Sequence, residues 1–99
     1  INAGALISVR PIGMLQMTDE SGPDAKILAV PKSKITRIYD HIQNPDDVSP
    51  HILETIQHFF EHYKDLDKGK WVKVENWENA EAAKKEILSS LERYQKDEA

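Results

Sequence analysis

The sequence predicts an α+β fold, and three patterns support this prediction. Two segments rich in aliphatic residues, 5–17 and 25–31, flank a cluster of turn-forming residues, as in a β-hairpin. A third strand is predicted over residues 71–77. Apolar residues that recur every three or four positions indicate two amphipathic helices. Three strands and two helices in this order are typical of the α+β class.

The predicted hairpin has two irregular features. Pro11 and Gly13 interrupt its first strand, and both residue types weaken a regular hydrogen-bond ladder. We therefore expect an edge position, a bend or a β-bulge there. Residues 18–24 are almost all turn formers, which predicts a loop longer than two residues before the second strand.

The helices are predicted from their caps and their apolar stripes. Ser49 is a favourable N-cap and Pro50 a favourable first helical residue. The stripe of the first helix comprises Ile52, Ile56, Phe59, Tyr63 and Leu66. Gly69 is the predicted end of this helix, and Asn79 is the predicted cap of the second. The second stripe comprises Ala83, Ile87, Leu91 and Tyr94, and we assign Trp71 and Trp77 to packing.

Composition excludes several classes of function. The 99 residues suffice for one domain, and 13 basic against 17 acidic residues give a net charge of −4. This charge argues against a general binder of nucleic acid or anionic membranes. The absence of cysteine excludes disulfides, thiolate zinc sites and a cysteine nucleophile. No apolar run is long enough for a membrane span, so we expect a soluble, cytoplasmic protein.

The turn of the hairpin holds the first candidate site. Asp19 and Asp24 lie on either side of a Gly-Pro pair, and Lys26 lies two residues beyond Asp24. In a closed hairpin the three side chains would share one face. Two carboxylates beside an ammonium suit a divalent cation that holds a phosphate. The alternative is that Asp and Gly are present only because surface turns favour them.

Two further candidates lie around the end of the first helix. Tyr63 and Lys64 could contact a ligand, but Tyr63 also fits the apolar stripe and Lys64 suits a helix C-terminus. His58 and His62 belong to an H-x-x-E-H sequence, the pattern of some zinc proteases. No third ligand is evident in the sequence, so we favour a packed or interfacial histidine pair over zinc.

Three segments of the chain resemble the bacterial type of soluble family I inorganic pyrophosphatases. They are RPIGML (10–15), MTDESGPDAKILAVP (17–31) and HFFEHYKDLDKGKWVKVENWENAEAA (58–83). The resemblance implies an OB-like five-stranded β-barrel with two flanking helices, and Mg²⁺-dependent hydrolysis of diphosphate to two phosphates. The residue roles that it implies are magnesium ligation by Asp19 and Asp24, phosphate binding by Lys26, Tyr63 and Lys64, and subunit contacts within a hexamer by His58 and His62.

The sequence also departs from the family pattern. The resemblance implies a D-x-D-P-x-D motif that supplies further metal ligands and the general base, and residues 44–47 do not match it. We therefore expect residues 1–99 to be the C-terminal portion of one pyrophosphatase domain, without its N-terminal strands. On this expectation the parent protein is the enzyme, and the chain alone is inactive or nearly so. The alternative is a non-catalytic oligomerisation module that retains the interface helix.

Overall fold

The computed structural model describes residues 8–98, and it confirms the α+β class. Its elements are β1 (Val9–Asp19), β2 (Gly22–Pro31), a short 3₁₀ helix (Pro45–Asp47), α1 (Pro50–His62), β3 (Val72–Asn79) and α2 (Ala80–Glu98). Residues 5–7 of the predicted first strand lie outside the described residues.

The three strands form one antiparallel sheet in the order β2-β1-β3. The central strand β1 supplies most of the buried apolar side chains, because both of its edges are paired and α2 packs against it. The buried apolar residues of the described part are Ile12, Met14, Leu15, Met17, Val30 and Ala83. The buried part of β1 thus ends at Met17, two residues before Asp19.

The predicted irregularity in β1 is a β-bulge. The register between β1 and β2 shifts between Pro11 and Gly13, which leaves Ile12 without a cross-strand partner and 1% exposed. A Cβ atom on Gly13 would lie 2.8 Å from Cδ of Pro45 and 2.9 Å from the carbonyl oxygen of Glu78. Glycine at this position therefore lets the 3₁₀ helix and β3 approach β1 closely.

The hairpin turn is shorter than the sequence predicts. Asp19 pairs with Gly22, so only Glu20 and Ser21 form the turn, and the expectation of a longer loop is wrong. The turn formers on either side are part of the ladder, because β1 pairs with β3 as far as Asp19. Gly22 has a φ of 117°, a value that strains other residues, and Oδ1 of Asp19 accepts a hydrogen bond of 2.8 Å from the Ser21 N–H.

Helix α1 begins where the sequence predicts and ends earlier. Ser49 is the N-cap and Pro50 the first helical residue, but the helix ends at His62 and not at Gly69. After His62 the chain forms successive turns, in which the Asp65 N–H donates to the His62 carbonyl at 3.0 Å. Leu66, predicted to lie in the apolar stripe, is consequently 100% exposed.

Helix α2 is capped by two asparagines. Oδ1 of Asn79 accepts a hydrogen bond of 3.0 Å from the Ala82 N–H, which confirms the predicted cap. Oδ1 of Asn44, which precedes the 3₁₀ helix, accepts another of 3.0 Å from the Ala80 N–H. The apolar stripe is buried at Ala83 only, and its later members Ile87, Leu91 and Tyr94 are exposed. Neither helix, over the part of the chain described, could cross a membrane.

Candidate functional site

The pairing of β1 with β2 places three predicted site residues on one face of the sheet. Asp24 lies opposite Met17, and Lys26 lies opposite Leu15. Residues opposite each other share a face, and so do residues two apart along a strand, so Asp19 lies on this face as well. Met17 and Leu15 are fully buried, whereas the three charged side chains are only partly so.

Each of the two candidate lysines forms an ion pair with a candidate metal-binding aspartate. Lys26 Nζ lies 3.1 Å from Asp24 Oδ2, and both side chains are more than one-third exposed. Lys64 Nζ lies 3.1 Å from Asp19 Oδ2, and these side chains are only 16% and 14% exposed. The second pair is therefore less screened by solvent than the first.

An aromatic pair joins the two ion pairs. Lys26 Nζ lies 5.7 Å from the centroid of the Phe60 ring, and Lys64 Nζ lies at the same distance from the Tyr63 ring. The two rings meet edge to face, with centroids 5.7 Å apart. The five residues predicted to bind metal or phosphate are thus connected through Phe60, whose role the sequence analysis missed.

Glu20 is the second residue that the sequence analysis missed. Its Oε2 accepts a hydrogen bond of 3.3 Å from Lys64 Nζ, and its Oε1 accepts one of 3.1 Å from the backbone N–H of Trp71. No local pattern points to these contacts, because Lys64 and Trp71 are 44 and 51 positions away. Trp71 itself, assigned above to packing, is half exposed.

The pKa values of this cluster shift as the contacts require. The pKa of Asp19 is lowered from its ordinary 3.8, first by the hydrogen bond from Lys64 and then by that from the Ser21 N–H. For Glu20, partial burial acts to raise the pKa, but the hydrogen bonds from Trp71 and Lys64 outweigh it and lower the pKa. The hydrogen bond to Asp19 is the main reason that the pKa of Lys64 is raised. All three groups are charged at neutral pH.

His58 and His62 lie on the exposed surface of α1. Their ring centroids are 4.5 Å apart, and His62 Nδ1 lies 2.8 Å from Asp65 Oδ2. Within the described residues, no hydrogen bond or ion pair links either histidine to the cluster of Asp19 and Lys64. The pair therefore forms a feature separate from the candidate site.

The carboxylates of Asp19 and Asp24 are the kind of ligand that binds a hard cation, but there are only two of them. Asp19 and Asp24 offer the oxygen ligands that Mg²⁺ prefers. Across residues 8–98, no three His, Asp or Glu side chains are close enough together to hold a metal ion. Mg²⁺ in phosphate-handling sites often takes only one or two carboxylates, together with water and phosphate oxygens, so the two aspartates fit part of such a site.

A cleft of about 300 Å³ adjoins Lys26, between α1 and the sheet. Phe60 and Ile56 line it from the helix, and Leu15 and Trp77 line it from the strands. Trp77 is partly buried, as predicted for a packing residue, and its Nε1 has no hydrogen-bond partner among the described residues.

Solved structures of bacterial proteins resemble this fold closely. The inorganic pyrophosphatase from Helicobacter pylori matches with a TM-score of 0.88 and 44% identity, over 96% of this chain and 56% of that protein. The structure of an inorganic pyrophosphatase from Coxiella burnetii matches with a TM-score of 0.86 and 49% identity, over 94% of this chain and 55% of that protein.

Sequence comparison gives the same family. The inorganic pyrophosphatase of Escherichia coli K12 is 59% identical over 93 residues, which are 94% of this chain and 53% of that protein. The Yersinia pestis inorganic pyrophosphatase is 56% identical over 96 residues. This chain thus spans about half the length of the curated relatives that it matches. The family model for inorganic pyrophosphatase matches residues 1–95, and the chain belongs to the inorganic pyrophosphatase family.

Proposed function

We propose that this chain supplies part of the active site of a protein that hydrolyses inorganic diphosphate to two phosphates. Family membership gives the class of reaction. The observation that carries the proposal is the connected cluster in which Lys26 and Lys64, each beside an aspartate, flank the pair of Phe60 and Tyr63. Such a cluster combines ligands for a cation with donors for a phosphate.

Lys26, Tyr63 and Lys64 are the proposed phosphate-binding residues. Two ammonium groups on either side of a phosphate neutralise its charge and donate charge-assisted hydrogen bonds. The Tyr63 hydroxyl would add a neutral donor, and Tyr63 is 41% exposed. Rigid placement of the ring against Phe59 and Phe60 would fix that donor.

Asp19 and Asp24 are the proposed magnesium ligands. Their carboxylates would hold Mg²⁺ that acidifies the attacking water and screens the charge of diphosphate. With Mg²⁺ bound, each aspartate would loosen its present ion pair and leave the lysine beside it for the phosphate. Two carboxylates are few for a site that activates water, so we expect this chain alone to be inactive or nearly so.

The proposal for the rest of the fold is supported by the edges of the sheet and by the length of the relatives. The sheet of residues 8–98 has β2 and β3 at its edges, and unpaired edges of this kind are usually covered or closed. The relatives are about twice as long as the matched segment. We propose that the remaining part of such a protein completes an OB-like five-stranded barrel and supplies the general base. A cytoplasmic location also remains a prediction.

Helix α1 is the proposed subunit contact of a hexamer. Its exposed surface carries His58, Phe59 and His62, of which Phe59 is 57% exposed. An exposed aromatic ring beside two imidazoles suits burial against another copy of the chain. This surface would also serve the alternative function, a non-catalytic oligomerisation module, because it does not include the aspartates of the candidate site.

Phosphate release from Mg²⁺-diphosphate at neutral pH tests the proposal. The 99-residue chain alone should release little or none, and adding the N-terminal remainder of a close relative should raise the rate. Asp24→Asn should then abolish the gain. Asp46→Asn is the matched control, because it removes one exposed carboxylate from the 3₁₀ helix and should leave the rate unchanged.

Three results would count against the proposal. Robust release by the chain alone, lost with Asp24→Asn, would mean that the site is complete without further residues. A complemented activity that survives Asp24→Asn would remove that aspartate from the site. An absence of activity under complementation, combined with a stable oligomer, would favour the oligomerisation module.

A further inference from the structure

The side chain of Glu20 connects two segments that are distant in sequence. Glu20 lies in the turn between β1 and β2, where a glutamate usually points into solvent. Here both carboxylate oxygens have partners in the connection between α1 and β3, at 3.1 Å to the Trp71 N–H and 3.3 Å to Lys64 Nζ. The turn is therefore tied to this connection through one side chain.

Lys64 has two acceptors, and they are not equivalent. Its ammonium can donate three hydrogen bonds, and Asp19 and Glu20 accept two of them. Asp19 is the proposed metal ligand, and a carboxylate that binds a cation is a poorer acceptor for an ammonium. Glu20 is not a proposed metal ligand, so its contact with Lys64 can persist when Asp19 binds a metal ion.

We infer that Glu20 is the positioning residue for Lys64, holding the ammonium at the candidate site through a contact that does not depend on Asp19. The inference rests on the proposed function for what Lys64 is positioned to bind, a phosphate oxygen. A purely structural role is the alternative, in which Glu20 serves only to accept the Trp71 N–H.

The substitution Glu20→Met separates these roles, because it keeps the length of the side chain and removes both the charge and the acceptors. Two NMR measurements on the 99-residue chain report the outcome, and both are made in the Asp19→Ala background, so that Asp19 cannot hold Lys64 in place of Glu20. Amide exchange at Trp71 reports the backbone contact, and the order parameter of the Lys64 Cε–H bonds reports positioning. Positioning predicts that Lys64 becomes as mobile as an exposed lysine such as Lys68, while a structural role predicts faster exchange at Trp71 alone.

Phosphate binding provides the functional readout. Affinity for inorganic phosphate with Mg²⁺ is measured for the wild type, Glu20→Met, Lys64→Met and the double variant. Positioning predicts that the effect of Glu20→Met depends on Lys64, with a coupling of at least about twofold. If Lys64→Met leaves the affinity unchanged, the proposed function of Lys64 fails, whereas the order parameter of Lys64 still decides the positioning role.

Glu75→Gln is the matched control. Glu75 is an exposed glutamate on β3 whose carboxylate accepts a hydrogen bond of 2.7 Å from the Thr18 hydroxyl, next to Asp19. It should change neither Lys64 mobility nor the coupling. If Glu20→Met does not fold, Glu20→Ala serves as the second variant, since it also removes both acceptor oxygens. An unchanged Lys64 order parameter in the folded variant would overturn the inference.

Discussion

The Nζ atom of Lys64 lies 3.1 Å from Oδ2 of Asp19, although the two residues are 45 positions apart in the sequence. The contact joins the end of the central strand to the chain just after α1. Together with the Glu20 contact, it gives one ammonium two carboxylate partners in a position largely shielded from solvent. The same ammonium is the one that we propose to bind phosphate.

Lys64→Met should weaken the binding of inorganic phosphate in the presence of Mg²⁺ by at least about tenfold, because a charge-assisted hydrogen bond is lost. Titration followed by NMR or calorimetry measures the change. Lys68→Met is the control, since Lys68 is exposed and only four residues away. An equal loss in both variants would point to general electrostatics and away from a specific role of Lys64.

Gly13→Ala should destabilise the fold by about 1–3 kcal/mol, as overpacking of a tight contact does. The added Cβ would meet Pro45 and the Glu78 carbonyl oxygen, so the 3₁₀ helix or β3 must move. Urea unfolding measures the loss. Gly69→Asn should have a smaller effect, because no atom lies within 4 Å of its Cβ position and Asn tolerates the φ of 78° there.

Asn79→Ala should cost about 1 kcal/mol of unfolding free energy, the typical cost of losing an N-cap side chain. The lost interaction is the hydrogen bond from the Ala82 N–H. Chemical denaturation followed by circular dichroism measures it. Asn79→Ser keeps a capping oxygen and should retain most of the stability, so equal losses in the two variants would contradict a capping role.

Acid should destabilise the fold over the pH range in which three of its carboxylates become protonated. The pKa values of Asp19, Glu20 and Asp47 are lower in the folded chain than their ordinary values of 3.8 to 4.5. Their contribution to the free energy of unfolding is therefore present above that pH range. It is lost as the pH falls through the pKa values of the folded state. The pKa of Lys64 is raised, so its contribution is present below its ordinary 10.5 and is lost only at still higher pH.

Asp47 isolates one part of this dependence. Its Oδ2 accepts hydrogen bonds from the Gln43 and Asn44 N–H groups, at 2.9 and 3.1 Å, and these lower its pKa. Asp47→Asn should make the unfolding free energy less dependent on pH below about 4. Urea midpoints measured between pH 2 and 7 test this, and parallel curves for the variant and the wild type would refute it.

Much of the fold could be predicted from local chemistry. The bulge at Pro11 and Gly13, the start of α1 at Ser49 and the Asn79 cap all depend on residues within a few positions of each other. The length of the turn at Glu20 could not be predicted from local chemistry. The pairing of β1 with β3 overrides the turn preference of the residues beside Glu20. Tertiary pairing of this kind leaves no signal in a short window.

The candidate site could be predicted only in part, because some of its contacts are local and others depend on tertiary structure. The shared face of Asp19, Asp24 and Lys26 follows from strand alternation, so their spacing indicated it. The contact between Glu20 and Lys64 depends on how the connection after α1 passes the hairpin, and on α1 ending at His62. The sequence favoured a longer helix ending at Gly69.

The order of the strands also has a consequence for folding kinetics. β1 and β2 are joined by a two-residue turn, so their pairing is local and should form early, whereas Asp19 meets Val72 only after a loop of more than 50 residues has closed. The ion pair of Asp19 with Lys64 lies within that closure. Substitutions in the hairpin should therefore alter the refolding rate, while Lys64→Met and Asn79→Ala should mainly accelerate unfolding.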